Sequence, residues 1–127
     1  MTEKFEKIKI LCDNAEKDIK TAETLAALED GAFYSSIICF HCQQAIEKYL
    51  KAYLIYNETR PPKTHDLLQL AALCSDYDQV FVGFELDDFS GYGVDIRYDD
   101  PQPTFIDAKH AIAIANEVIH YVIEKIQ

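Results

Sequence analysis

The stretch YSSIICFHCQQAIEKYLKAYLIYNETRPPKTHDLLQL, residues 34–70, decides the fold of this chain. Apolar residues recur in it every three to four positions, which predicts a long helix over residues 32–56 with one buried face. Pro61 and Pro62 end that helix, because proline lacks the amide hydrogen that a helix interior needs. A Thr-His-Asp-Leu sequence then restarts a helix, with Thr64 as its predicted N-cap. The periodic apolar residues are Ile38, Cys42, Ala45, Tyr49, Ala52 and Tyr56.

Two further long helices are predicted, one on either side of that stretch. Residues 5–26 and residues 105–126 each repeat an apolar side chain every three or four positions. Gly31 is expected to cap the end of the first helix, and the Thr104 hydroxyl is expected to cap the start of the last one. Both helices have the narrow apolar seam that is typical of a helical bundle.

Residues 76–103 are the irregular part of the sequence, with acidic patches, glycines, prolines and several aromatic residues. We expect a short helix near residues 84–90 and loop elsewhere in this region. No segment has the alternating pattern of a strand. The sequence therefore predicts an all-α, up-down antiparallel bundle of four to five helices, in a single domain that spans residues 1–127.

The net charge of −10 is unevenly distributed along the chain. Residues 1–63 hold nine basic and ten acidic side chains, whereas residues 64–127 hold three basic and twelve acidic ones. This balance disfavours general nucleic-acid binding, and DNA binding in particular, but leaves open a focused site for one phosphate or nucleotide. No apolar run approaches the ~20 residues of a membrane span, and the N-terminal segment lacks an apolar signal core. We therefore expect a cytoplasmic protein that does not bind membranes.

The four cysteines all fall inside helical patterns, which indicates buried thiols in a reducing compartment. Cys39 and Cys42 match the C-x-x-C spacing, but redox motifs of this kind open a helix and this one lies in mid-helix. His41 lies between them and faces a different side of the helix from Cys39. We expect core packing, with no metal and no cofactor. The cysteines are Cys12, Cys39, Cys42 and Cys74.

Several apolar residues lie outside the periodic seams and exceed what one small core usually hides. They predict a homodimer through the second and the last helix. Gln43 and Gln44 have no evident structural role in the sequence, and their amides are candidates for hydrogen bonds across such a dimer. The additional apolar residues are Leu25, Ile37, Phe40, Tyr53, Ile55, Tyr121 and Ile123.

The same central stretch, followed by DIRYDDPQPTF and an Ala-rich last helix, resembles the HEPN (higher eukaryotes and prokaryotes nucleotide-binding) family. The resemblance covers almost the whole chain, in the order helix, QQAxEKxLKA helix, P-x-THDL turn, aromatic loop and last helix. It implies an all-α, HEPN-like bundle that is usually dimeric. Members are often encoded beside, or fused to, a minimal nucleotidyltransferase, as in toxin–antitoxin pairs. Many members of the wider family are metal-independent ribonucleases.

Those ribonucleases use an Arg and a His, four to six residues apart, near the start of the last helix. At the corresponding place this chain has Arg97 followed by Tyr98, and the next histidine, His110, is too far along. Arg60 and His65 do have the spacing, but they lie in the turn between the second and third helices. We interpret this match as coincidence, because spacing alone is a weak motif. The resemblance therefore gives no firm catalytic residue, only the candidates His65, Arg97 and Arg60.

A binding site is the alternative use of the basic residues. Lys48, Lys63 and His65 are candidate ligands for a phosphate at the start of the third helix, where free amides favour an anion. His65 is equally open to a structural role, with hydrogen bonds to neighbouring groups. Arg97 and Tyr98 are candidates for binding a phosphate or a partner backbone, or Arg97 simply neutralises its acidic loop.

Three functions remain open from the sequence. The first is an accessory, nucleotide-binding module that is dimeric and acts with a nucleotidyltransferase partner on a nucleotide or RNA. The second is a metal-independent, toxin-like ribonuclease. The third is a structural dimer that docks another protein. The chain has no nucleotidyltransferase signature of its own, so that activity belongs to a partner.

Overall fold

The computed structural model describes residues 2–89 and 101–127, which form four α-helices and no strand. The all-α prediction is therefore confirmed, and three short 3-10 turns complete the secondary structure. The helices are α1 (Thr2–Ala26), α2 (Ser35–Tyr56), α3 (Leu67–Cys74) and α4 (Phe105–Ile126). The 3-10 turns are Gly31–Tyr34, Gln79–Gly83 and Asp87–Phe89.

The central helix is α2, which packs against α1, α3 and α4. The predicted seam of α2 is buried from Ile38 to Ala52, and only its last member, Tyr56, is half-buried. Helices α1 and α2 run antiparallel, since Lys4 near the start of α1 reaches Glu58 just beyond α2, with Nζ and Oε1 2.7 Å apart. The predicted seams of the outer helices are also confirmed, except that Phe5 is 48% exposed. Their buried members are Ile8, Ala15, Ile19, Ala22, Ala108, Ala115, Ile119 and Val122.

Gly31 is needed for a close approach of the backbone, and the prediction that it caps α1 is wrong. Helix α1 ends at Ala26, and Gly31 begins the 3-10 turn that leads into α2. A Cβ atom on Gly31 would lie 2.8 Å from the Leu25 carbonyl oxygen and 2.9 Å from that of Ala26. Any side chain here would therefore push the turn away from the end of α1.

The prediction that Thr64 caps α3 is also wrong, because Asp66 holds that position. The Asp66 carboxylate accepts hydrogen bonds from the amides of Leu68 and Gln69, at 3.0 and 3.4 Å. Thr64 supports the cap from outside, since its hydroxyl accepts a hydrogen bond from the Asp66 amide at 3.1 Å. A carboxylate is the stronger acceptor and also complements the helix dipole. The inner face of α3 is buried as predicted: Leu67, Leu70, Ala71 and Cys74.

The short helix expected near residues 84–90 is replaced, within the described residues, by the 3-10 turns Gln79–Gly83 and Asp87–Phe89. The centre of this region is Phe81, which is 1% exposed. Its ring centroid lies 4.6 Å from that of Tyr53 and 5.6 Å from that of Tyr121. Leu86 and Phe89 are buried as well, at 1% and 3% exposed, so three apolar side chains hold residues 76–89 in place without a regular helix.

The start of α4 is as the sequence predicts. The Thr104 hydroxyl accepts a hydrogen bond from the Asp107 amide at 3.1 Å, and the Asp107 carboxylate accepts one from the Thr104 amide at 2.8 Å. This reciprocal pair is a capping box. None of the four described helices combines the length and the apolar content that are needed to cross a bilayer.

Candidate functional site

The polar residues of α2 make two clusters, one on each side of its buried seam. The first, here called the seam cluster, consists of Asp18 on α1 and of His41 and Lys48 on α2. Asp18 is 9% exposed, and its Oδ1 lies 2.8 Å from His41 Nδ1. Its Oδ2 accepts a hydrogen bond from Lys48 Nζ. His41 and Lys48 are two helical turns apart, which puts both on the side of α2 that faces α1.

The second cluster, here called the turn clasp, fastens the turn before α3 to α2. Glu47 is 5% exposed, and its Oε1 lies 2.9 Å from His65 Nδ1, while its Oε2 accepts a hydrogen bond from Lys51 Nζ at 3.1 Å. The Gln43 amide donates to the His65 carbonyl oxygen at 3.0 Å. Gln44 in turn donates to Gln43 Oε1 at 2.8 Å. His65 and Gln43 therefore both make hydrogen bonds within the chain.

The backbone amides at the start of α3 already bind a carboxylate of the chain itself. The amides of Leu68 and Gln69, which a phosphate would need, bind the Asp66 carboxylate. Lys48 belongs to the seam cluster and His65 to the turn clasp, so the structure does not bring these two candidates together around one ligand. Lys63 is exposed and has no ion-pair partner within residues 2–89 and 101–127.

Arg60 and His65 point to different parts of the molecule. Arg60 lines a surface groove of about 610 Å³ between the start of α1 and the end of α2, together with Lys4 and Lys7. His65 binds Glu47, and no hydrogen bond joins its side chain to Arg60 among the described residues. This geometry fits the interpretation that the spacing of Arg60 and His65 is a coincidence. Arg97 and Tyr98, the other candidates, lie outside the described residues.

Three of the four thiols, those of Cys39, Cys42 and Cys74, are buried, and Cys12 is half-buried. Burial raises the pKa of Cys42 well above its usual value and the pKa of Cys74 to about 12, so both are protonated at neutral pH. A protonated thiol is a poor nucleophile and a poor metal ligand. Over the described part of the chain, no group of three or more His, Cys, Asp or Glu side chains is arranged to hold a metal ion.

Comparison with known proteins agrees with this architecture. The family model of the HEPN domain matches residues 8–126, which is most of the chain. The chain belongs to the HEPN family. The crystal structure of an archaeal HEPN homologue superposes with a TM-score of 0.68 at 21% identity, covering 94% of this chain and 98% of that one. At this identity the similarity shows the fold alone. Curated protein sequences give no match.

Sequence reasoning on this HEPN chain did not single out Asp18. Asp18 lies three residues after Ala15 and four before Ala22, both fully buried, so its spacing puts it at the edge of the buried stripe. Sequence reasoning also missed a groove beside α3. The signal was a run of residues, 64–89, that contains six acidic side chains and no Lys or Arg.

Proposed function

We propose that this HEPN chain is a dimeric accessory module that acts with a nucleotidyltransferase partner, as in a toxin–antitoxin pair, and presents a nucleotide or RNA to it. The observation that carries the proposal is the turn clasp. His65 is held by Glu47 through Nδ1 and by Gln43 through its carbonyl oxygen. A histidine fixed in this way supports the shape of the turn, which favours a binding module over a catalyst.

Exposed aliphatic side chains support the dimer. Ile37 on α2 is 46% exposed, and Ile106 and Ile123 on α4 are 76% and 38% exposed. Of the additional apolar residues predicted for an interface, Tyr53 packs instead in the core, against Phe81. Sedimentation equilibrium tests the dimer: Ile123→Asp is expected to give a monomer, and Ile10→Asp, on α1, is the matched control. A monomeric parent chain at micromolar concentration would rule it out.

The groove that Arg60 lines supports nucleotide binding through Arg60 itself. Arg60 has no hydrogen-bond or ion-pair partner among the described residues, whereas Lys4 and Lys7 in the same groove are paired with Glu58 and Glu3, at 2.7 and 3.5 Å. Titration calorimetry with ATP tests this part, with Arg60→Ala expected to weaken binding. Lys9→Ala is the matched control, because Lys9 is already paired with Asp13 at 2.7 Å. Absence of any heat of binding to the parent chain would remove the nucleotide from the proposal.

The runner-up is a metal-independent ribonuclease, favoured by one observation: the His65 side chain is 59% exposed even though Nδ1 is bound. Incubation of the purified chain with total RNA in EDTA separates the two functions. The accessory module leaves RNA intact, and it co-purifies with a minimal nucleotidyltransferase of the same genome. Cleavage that is lost in His65→Ala, in protein of unchanged helicity, would make the chain an enzyme instead.

A further inference from the structure

The groove beside α3, here called the acidic groove, has about 410 Å³ of space between α3 and the 3-10 turn Gln79–Gly83. Leu68 on one wall is 47% exposed, and Val82 on the other is 71% exposed. The floor is apolar and closed, since Phe81 and Leu86 are each 1% exposed. Two exposed aliphatic walls over an apolar floor form a cleft that suits apolar side chains.

The rim of the groove carries two carboxylates among the described residues. Glu85 and Asp87 both line it, and the Glu85 side chain is 75% exposed. Within the described residues, Glu85 is paired with His110, whose Nε2 lies 3.7 Å from Glu85 Oε2. No Lys or Arg occurs anywhere in residues 64–89. This surface therefore repels phosphates and acidic surfaces and attracts cations.

Shape and charge together select the occupant. The walls are a helix and a turn, and the described residues contain no strand, so an extended peptide has no sheet edge to pair with. A second copy packed symmetrically, groove against groove, would bring the same acidic rim against this one, which like-charge repulsion disfavours. An amphipathic helix with apolar side chains on one face and Lys or Arg at its edges satisfies both the floor and the rim.

We propose that the acidic groove binds a basic amphipathic helix of a partner protein. Its apolar residues enter between Leu68 and Val82, and its cations face Glu85. This inference is independent of the nucleotidyltransferase and of nucleotide binding, because it concerns a different face of the bundle from Arg60.

The chain lacks tryptophan, so a peptide that carries one Trp gives a fluorescence signal of its own. The probe is a synthetic helix of about 16 residues with leucines spaced three and four apart and lysines elsewhere. A comparator has glutamate in place of each lysine. The parent chain is expected to bind the lysine probe saturably, with a blue shift of its Trp emission, and not to bind the comparator.

Variants locate the binding. Val82→Ser and Glu85→Lys are each expected to weaken binding by about tenfold or more, since one removes an apolar wall and the other reverses a rim charge. Ile10→Ser and Glu6→Lys are the corresponding controls at exposed positions on α1: one replaces an aliphatic side chain with serine and the other reverses a charge. Both control variants are expected to bind the lysine probe as the parent does. Gly83→Gln is an independent variant that is also expected to weaken binding, because Gly83 lines the groove and a Cβ there meets no atom within 4 Å, so the substitution adds bulk without a clash.

Four outcomes would overturn the proposal. The first is that the lysine probe does not bind saturably, and the second is that the glutamate comparator binds equally well. The third and fourth concern the variants. The α1 variants lose as much affinity as the groove variants do, which would indicate unspecific attraction to an acidic protein. Finally, Val82→Ser converts a dimer into a monomer in sedimentation, which would make the groove an interface between two copies.

Discussion

The seam cluster and the acidic groove both contain carboxylates, but the two regions use them in opposite ways. Asp18 is nearly buried and binds His41 and Lys48. Glu85 is largely exposed, and its partner in the described part of the chain is the His110 side chain, at 3.7 Å. A buried carboxylate is tolerated only when it is paired, so removal of its pairing is costly, whereas an exposed one contributes little to folding. The difference separates charges that hold the bundle together from charges that are available to a partner.

The largest expected effect tests whether the groove has a rigid floor. Phe81→Ala is expected to lower the free energy of unfolding by about 3–5 kcal/mol, because Phe81 is buried and packs against Tyr53, Phe84 and Tyr121. Urea denaturation followed by circular dichroism measures it. Val82→Ala, one residue further and 71% exposed, is the control, with an expected change within about 0.5 kcal/mol. If Phe81→Ala lowers the free energy of unfolding by less than about 1 kcal/mol, the residues around Phe81 can repack to fill the cavity, and the groove does not have a rigid floor.

The next effect compares the two carboxylates directly. Asp18→Ala is expected to cost about 2 kcal/mol, because it leaves His41 and Lys48 without their shared partner while a quarter of each side chain stays open to water. Glu85→Ala is the matched change in the groove and is expected to stay within about 0.5 kcal/mol. Equal losses of stability in the Asp18 and Glu85 variants would show that the carboxylates of the seam cluster and the acidic groove do not differ in their contribution to folding. The same urea titrations provide the readout.

A smaller effect is expected at the turn clasp. His65→Ala removes one hydrogen bond to Glu47 but leaves the Gln43 bond to the backbone, so about 1 kcal/mol is expected. Lys63→Ala, an exposed neighbour without a partner among the described residues, is expected to be near neutral. A neutral His65→Ala variant would show that the clasp does not stabilise the turn, and would reopen a catalytic role for His65.

The mildest effect concerns the contact between Tyr121 and Asp78, which joins α4 to the segment that carries the groove. The hydrogen bond that Tyr121 donates lowers the pKa of Asp78 below 3.8. The same hydrogen bond raises the pKa of Tyr121 from 10.0 to about 12. A lowered acid pKa adds stability that is lost as pH falls below 3.8. The raised Tyr pKa adds stability that is complete below pH 10 and lost as pH rises through 12. Tyr121→Phe is therefore expected to lower the free energy of unfolding at pH values between 3.8 and 12. Below and above that range, urea titrations are expected to give the same free energy of unfolding for the variant and the parent.

The fold followed from the sequence because its signals are local. Apolar residues at helical spacing indicated α2 and the seams of α1 and α4, and the capping box at Thr104 was readable as a Thr at the start of a periodic segment. The errors were local as well. Thr64 and Asp66 are both good caps two residues apart, and the choice between them depended on which register buried the inner face of α3. At Gly31, only the close approach to the end of α1 revealed its role.

The candidate site was predicted less well because it depends on pairs that are distant in sequence. His65 was recognised as a candidate, but its partner Glu47 lies 18 residues earlier, and Asp18 lies 23 residues before His41. The acidic groove needs α3, Val82 and Glu85 in one place. Charge counts showed that residues 64–89 are acidic without showing that they surround an apolar cleft.

The sequence by itself determined the all-α class, the helix positions and the family resemblance, because helical periodicity and caps involve residues only a few positions apart. The tertiary structure alone decided which carboxylates are buried and paired and which remain exposed. Helix packing sets that choice, since the rotation of each helix about its axis determines which polar side chains meet a partner and which meet water.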